Sequence, residues 1–254
     1  MNWEEKLQRF LDNWEYKNDL IGILVCGSFI MGNPNNHSDL DVHLILDEKC
    51  DYRVRGNKIV DGLLIEYFAN TPNQIRKYFE EDYSEINPMS QTQFITGKIL
   101  LDKYGEVKKL KDDATNMLSK KYVDIDSELS ELSKYALWDM LDDLQGIYED
   151  DREDFYFIFY NNLDKLLKHY MKLIKVPYNK KAILGHIVDP ITRNKYLLNE
   201  LEDKEISACI KECITSRDKK EMLDNYEKIT DKVFQLSNGF EIDGFVFKSS
   251  KCIE

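Results

Sequence analysis

Apolar residues near the start of the chain recur at the spacing of an α-helix. Trp3, Leu7, Phe10 and Trp14 lie three or four positions apart, so one side of a helix would be hydrophobic and the other charged. The pattern predicts an amphipathic helix that ends near Lys17 and covers one face of a sheet.

The next segments are short and almost continuously apolar, which is typical of buried strands. Segments 20–26 and 40–46 are predicted as strands. A longer run over 58–69 is predicted as a strand that a bulge or hairpin turn interrupts at Asp61-Gly62. The remaining predictions, in chain order, are a helix that starts at Thr71-Pro72 and includes 74–81, an unassigned segment over 89–96, a short strand over 98–101 and a helix over 104–121.

The second half of the chain, from Ile125 onward, has mostly helical spacing. No linker rich in proline, glycine or serine precedes it, so we expect the two halves to pack together. The tail over 240–247 alternates weakly and predicts a hairpin or a docking arm. Helices are predicted over 129–147, 155–174, 192–201, 204–214 and 219–235.

The candidate chemistry lies between the first two predicted strands. Gly27-Ser28 directly follows the first strand, where a glycine lets the backbone approach a phosphate and a serine offers an N–H and a hydroxyl. Asp39 and Asp41 begin the second strand and share one of its faces. Such carboxylates are suited to hold Mg²⁺ during phosphoryl or nucleotidyl transfer. The structural alternative, in which both cap a hairpin, leaves Gly27-Ser28 unexplained.

A family resemblance rests on these residues. Gly27-Ser28, ten intervening residues and then Asp39-Leu40-Asp41 resemble the signature of the DNA polymerase β-like nucleotidyltransferase superfamily. Ser38-Asp39-Leu40-Asp41-Val42 resembles its small-substrate members, the aminoglycoside and lincosamide enzymes of the kanamycin nucleotidyltransferase type. The resemblance implies a third carboxylate on a neighbouring strand, and Glu66 matches it in order and context.

The resemblance also implies a fold and a reaction. The expected fold is α+β, with a nucleotidyltransferase domain over 1–122, a mixed sheet flanked by helices, and a helical bundle domain over 123–254 that binds substrate. Two Mg²⁺ ions held by Asp39, Asp41 and Glu66 are expected to bridge the phosphates of a nucleoside triphosphate. An acceptor hydroxyl then attacks the α-phosphorus and releases pyrophosphate. The expected acceptor is a small molecule of the aminoglycoside type, which would make the protein an antibiotic-resistance enzyme.

Charged residues in the second half are candidates for further roles. The resemblance to the aminoglycoside enzymes implies that a carboxylate can act as general base on the acceptor hydroxyl. Asp139 and Asp142, three apart on one predicted helix, are candidates for it, against the alternative of a solvated helix face. The resemblance implies a helical-domain lysine on the triphosphate. Lys165, Lys168 and Lys181 are candidates for it, and no motif selects among them.

Three polar residues near the carboxylates have two interpretations each. Arg53 and Arg55 either contact phosphates or are exposed charges on a loop or edge strand. His43 either contacts the nucleotide or supports the site as a polar strand residue.

Charge and composition limit the classes of molecule that the protein is expected to bind. The chain has 35 basic and 47 acidic residues and a net charge of −12, which disfavours long nucleic acid and favours a nucleoside triphosphate and a small acceptor. No apolar run reaches the roughly 18 residues that span a bilayer, and the N-terminus lacks signal-peptide features. The cysteines, which include Cys252, are odd in number and form no Cys-x-x-Cys pair. We therefore expect a cytoplasmic protein without membrane contact; monomer and homodimer stay open.

A second class of function also stays open. Related domains act as antitoxins or regulators that bind or nucleotidylate a protein partner. More than a hundred residues follow the expected catalytic domain here, which argues against this class, because such regulators are usually little more than that domain.

Overall fold

The computed structural model describes residues 2–120, 122 and 128–248. They group into two compact units: the first is the chain up to Tyr122 together with Asn194–Leu197, and the second is the remainder. The predicted domain boundary borders residues 123–127, which lie outside the described residues, as does Cys252. Among the described residues, no helix combines the length and the apolar character that crossing a membrane requires.

The first unit contains a five-stranded mixed sheet with helices on both faces, which confirms the predicted α+β class. Its elements, in chain order, are α1 (Trp3–Asp12), β1 (Leu20–Cys26), α2 (Ser28–Met31), β2 (Leu40–Leu46), β3 (Val54–Val60), β4 (Leu63–Asn70), α3 (Pro72–Ser84), α4 (Met89–Thr96), β5 (Lys98–Asp102) and α5 (Glu106–Leu118).

The strand order is β3-β4-β2-β1-β5. The pair β2–β4 is parallel, and the other three pairs are antiparallel. One face of the sheet packs on α1 through residues such as Leu7 and Leu44, and the opposite face packs on α3, α4 and α5 through residues such as Ile45 and Phe79. Because side chains alternate along a strand, β2 presents Leu40, Val42, Leu44 and Leu46 to the first face. Asp41, His43 and Ile45 face the second.

A tight hairpin joins β3 to β4. Asp61 and Gly62 form its two-residue loop with φ values of 47° and 80°, and a positive φ at both positions is the type I′ geometry that matches strand twist. Of the interpretations left open for the 58–69 run, the hairpin is therefore confirmed. This run was predicted to begin at residue 58, and that start was wrong, because its first half, β3, begins at Val54. This edge strand is mostly exposed, so it lacks the apolar pattern by which buried strands are recognised.

Other predicted elements differ in their bounds. The first helix ends at Asp12, well before Lys17, and Trp14 reaches the core from a turn in which its N–H bonds to the Leu11 carbonyl at 3.2 Å. The unassigned segment 89–96 is helix α4. Thr71 caps α3 as predicted, since its hydroxyl accepts from the Gln74 N–H at 3.4 Å.

The second unit is helical. Its largest helices pack around one core that includes Phe159, Leu166 and Tyr226. Of the two interpretations of the tail over 240–247, the hairpin is wrong, because residues 240–248 contain no strand. The contact expected of a docking arm is present, since Phe245 stacks on Tyr135 with ring centroids 5.1 Å apart. The helices are α6 (Glu131–Glu149), α7 (Phe155–Leu173), α8 (Pro190–Tyr196), which extends into the segment grouped with the first unit, α9 (Lys204–Thr215) and α10 (Lys219–Leu236).

Candidate functional site

A sharp corner follows the buried strand β1. Gly27 has φ +76°, a conformation that side chains with a Cβ rarely adopt. Its carbonyl accepts hydrogen bonds from the N–H groups of Ile30 and Met31, both at 3.1 Å, and Ser28 is buried at the start of α2. A Cβ at Gly27 would collide with the Oδ2 atom of Asp41. The corner therefore requires glycine for two reasons, its backbone conformation and the carboxylate beside it.

The strand register brings the predicted carboxylates together. Asp41 pairs with Cys26 of β1 on one side and with Glu66 of β4 on the other. Asp39 precedes β2 by one residue, two positions before Asp41. One carboxylate oxygen of each of Asp39, Asp41 and Glu66 lies within 4.8 Å of the others, and all three residues are half-buried. Among the described residues, this is the one acidic cluster with the spacing to share a metal ion.

Negative charge is crowded at this cluster. Burial, followed by the charges of Asp39 and Glu66, raises the pKa of Asp41 to about 6. Burial, followed by the charges of Asp41 and Asp39, also raises the pKa of the Cys26 thiol well above its usual range. A cation among the carboxylates would offset the repulsion between them, because it favours the charged form of a carboxylate.

Two positive groups partly offset this charge. The Arg55 guanidinium forms an ion pair with Glu66 at 2.9 Å. Lys195, in the segment grouped with the first unit, lowers the pKa of Asp41 against the larger raising effects. Sequence analysis missed Lys195, because a single lysine outside any motif carries no signal of its position.

His43 lies one row along the same face of the sheet. It is buried, its Nε2 lies 3.2 Å from Oε1 of Gln93, and its ring stacks on Phe68 with centroids 5.5 Å apart. Burial lowers its pKa to about 4, so the ring is neutral at pH 7. These contacts favour the supporting role over a nucleotide contact.

The helical-domain candidates belong to the second unit. Asp139 and Asp142 are exposed on α6, and Lys165 and Lys168 are exposed on α7. Lys181 is exposed between α7 and α8. Their roles as base or phosphate ligand remain predictions.

Comparisons with known proteins add little. No protein-family model and no curated protein matches the chain. Among solved structures, it is similar to a nucleotidyltransferase-like protein from Exiguobacterium sibiricum 255-15, with a TM-score of 0.47 and 10% identity over 93% of this chain and 77% of that chain. We draw no functional conclusion from a likeness of this degree.

Proposed function

We propose that the protein is a Mg²⁺-dependent nucleotidyltransferase that moves a nucleoside monophosphate from a nucleoside triphosphate to a hydroxyl of a small acceptor. The observation that carries this proposal is the juxtaposition of Asp39, Asp41 and Glu66 with the Gly27-Ser28 corner. The spacing of these residues along the chain, which resembles the nucleotidyltransferase signature, supports it independently.

The donor set fits a hard divalent cation. Asp39, Asp41 and Glu66 supply only oxygen ligands, and Mg²⁺ needs few of these from a protein because it keeps waters and binds substrate phosphates. The pKa of Asp41 supports the same assignment: after burial, the charges of Asp39 and Glu66 raise it, and a cation held among the three carboxylates would offset that repulsion. When bound, Mg²⁺ neutralises the phosphate charge that develops during transfer.

The residues of the chain then position the reactants. The triphosphate lies against the Gly27-Ser28 corner, where Ser28 at the start of α2 offers an N–H and a hydroxyl to its oxygens. The acceptor oxygen attacks the α-phosphorus and forms a new P–O bond, the bond from that phosphorus to the bridging oxygen breaks, and pyrophosphate leaves with the electron pair. The hydroxyl proton passes to a base, for which Asp139 and Asp142 remain candidates. In this proposal, positioning of the reactants and neutralisation of charge account for most of the rate enhancement over the uncatalysed reaction.

The test uses α-labelled nucleoside triphosphates with Mg²⁺ and a panel of hydroxyl acceptors that includes aminoglycosides. It measures transfer of the label to the acceptor and, as a second readout, release of pyrophosphate. The wild-type protein is expected to label an acceptor. Asp41→Asn is expected to lose activity by about a hundredfold or more, because it removes a ligand of the Mg²⁺ that would neutralise charge at the reacting phosphate. Glu80→Gln is the matched control, since Glu80 is an exposed carboxylate on α3 of the same unit.

Two results would contradict the proposal. One is equal transfer by Asp41→Asn and the wild-type protein. The other is failure of the wild-type protein to bind a Mg²⁺–nucleotide complex at all. Label found on a co-purified protein instead of a small molecule would favour the regulatory class.

A further inference from the structure

A cavity of about 500 Å³ opens beside the acidic cluster, within the first unit. Its floor is the sheet, where His43, Phe68 and Asn70 line it. The edge strand β3 contributes Arg55, and the preceding residue Arg53 also lines the cavity. Helices α3 and α4 close the opposite side. The cavity is therefore built by regular elements of one unit.

The register fixes where the cavity lies relative to the carboxylates. Asp41 pairs with Glu66, and His43 pairs with Phe68 two positions further along the same strands. Residues two apart on a strand share a face and lie about 7 Å apart, so the floor of the cavity is the next row of side chains after the carboxylates. Arg55 pairs with Phe68 across β3–β4 and shares that row.

The strand order decides which reactant the cavity faces. The Gly27-Ser28 corner follows β1, on one side of the β2–β4 pair, and β3 lies on the other side. In an in-line displacement, the attacking and leaving oxygens lie on opposite sides of the phosphorus. If the leaving pyrophosphate lies against Gly27-Ser28, as in the proposed function, the attacking hydroxyl comes from the side of the cavity.

The charge of the cavity is positive. The Arg55 guanidinium carbon lies 4.8 Å from the centroid of the Phe68 ring, and its Nη2 contacts Glu66 at 2.9 Å. The Arg53 Nη1 donates to the Tyr78 hydroxyl at 2.8 Å, and that hydroxyl lies 3.5 Å from Asn70 Oδ1. The described residues that line the cavity include two arginines and no carboxylate. Arginine is the side chain best suited to hold a phosphate or carboxylate, because its planar fork can bond two oxygens.

We propose that this cavity binds the acceptor, and that the acceptor carries a phosphate or carboxylate group, held by Arg53 and Arg55, near the hydroxyl that is modified. The inference rests on the proposed function and deepens it. A metal ion bound by Glu66 would compete with its ion pair to Arg55, and that guanidinium would then be available to the acceptor. A polycationic aminoglycoside, by contrast, would meet two guanidinium groups and no lining carboxylate.

The test compares matched acceptors that differ only in the anion. Glycerol, glycerol 3-phosphate and glycerate form one set, ribose and ribose 5-phosphate a second, and kanamycin serves as the cationic probe. Transfer is measured with the wild-type protein, Arg53→Gln and Lys58→Gln. Lys58 is the matched control, because it lies on the same strand as Arg55 but pairs with Ile65, whose side chain packs on the opposite face. Binding of Mg²⁺ with a non-hydrolysable nucleotide is measured in parallel on all three proteins.

The expected result is a preference of about tenfold or more in kcat/KM for the phosphate or carboxylate member of a set, as a charged hydrogen bond supplies. Arg53→Gln is expected to raise the acceptor KM and remove this preference, and Lys58→Gln to keep it. The phosphate and carboxylate members distinguish the two sources of the anion. Preference for kanamycin or a neutral acceptor, no transfer to any anionic acceptor, or an Arg53→Gln effect confined to the nucleotide KM would overturn the inference. Loss of Mg²⁺–nucleotide binding in the wild-type protein would instead contradict the proposed function.

Discussion

The two faces of β2 carry side chains with different roles. Leu40, Val42 and Leu44 are fully buried against the α1 face, where they only pack. On the other face, Asp41 is a half-buried carboxylate crowded by two more, and His43 is buried and neutral. The first face stabilises the fold. The second face keeps carboxylates close together and partly buried, an arrangement that costs stability. Such a conflict between stability and charge is typical of functional sites.

The largest effect on stability is expected from the packing face. Leu44→Ala removes a fully buried side chain and leaves a cavity, so it should lower the free energy of unfolding by about 2–5 kcal/mol. Leu64→Ala is the control, because Leu64 is 39% exposed on β4. Urea denaturation of both variants measures the difference. Equal losses would mean that the α1 face does not dominate the stability of this sheet.

The corner beside Asp41 offers a sharper contrast. Gly27 and Gly32 have φ values of 76° and 80°, so alanine is strained at both positions, and more so at Gly27, whose ψ of −158° lies in a region essentially restricted to glycine. Only Gly27 faces a carboxylate: a Cβ there meets Asp41, whereas one at Gly32 meets nothing within 4 Å among the described residues. Gly27→Ala should therefore lower the free energy of unfolding by about 1–3 kcal/mol more than Gly32→Ala, since forced overpacking adds to the strain.

The same pair of variants tests activity. Gly27→Ala should also lose nucleotidyl transfer, because its Cβ displaces a proposed metal ligand. Thermal melts and pyrophosphate release measure the two effects. If Gly32→Ala is as inactive as Gly27→Ala, the collision with Asp41 is not the reason.

Much of the first unit could be predicted from the sequence, because its signals are local. The apolar runs that became β1 and β2 and the Thr71-Pro72 helix start needed only the pattern of neighbouring residues. The convergence of Asp39, Asp41 and Glu66 was expected from the resemblance, and the parallel pairing of β2 with β4 is what brings them together. Their catalytic role stays a proposal.

The cavity beside the site could not be predicted in the same way. Arg55 lies on the exposed edge strand β3, and Arg53 directly precedes it. No alternation of apolar residues predicts a strand there. Tyr78 and Gln93 come from two helices whose packing on the sheet no local pattern specifies. One signal was available: Glu66, Phe68 and Asn70 alternate on β4 and therefore share a face. Long-range packing decides the rest.

A smaller effect on stability is expected from the charged face. The pKa of Asp41 is raised to about 6 in the folded protein, from 3.8. The folded state therefore binds more protons than the unfolded state between these values, and the stability that the protonated carboxyl contributes is lost as pH rises through about 6. Asp41→Asn should then be more stable than the wild-type protein at pH 7, by about 1 kcal/mol after screening by water is allowed for.

The control for this prediction is pH itself. The advantage of Asp41→Asn should disappear near pH 4, where both proteins carry a neutral group, and thermal melts across this range measure it. Added Mg²⁺ should stabilise the wild-type protein and leave the variant unchanged, because only the wild-type binds it. An Asp41→Asn protein that is less stable than the wild-type at pH 7 would contradict the crowding of charge at this face.

The most direct test of the central claim is binding of Mn²⁺, in place of Mg²⁺, measured by electron paramagnetic resonance with a nucleoside triphosphate and no acceptor. This measurement does not depend on knowing the acceptor. The account predicts that wild-type protein and Glu80→Gln deplete the signal of the free Mn²⁺–nucleotide complex and that Asp41→Asn does not. Equal depletion by Asp41→Asn, or none by the wild-type protein, would contradict it.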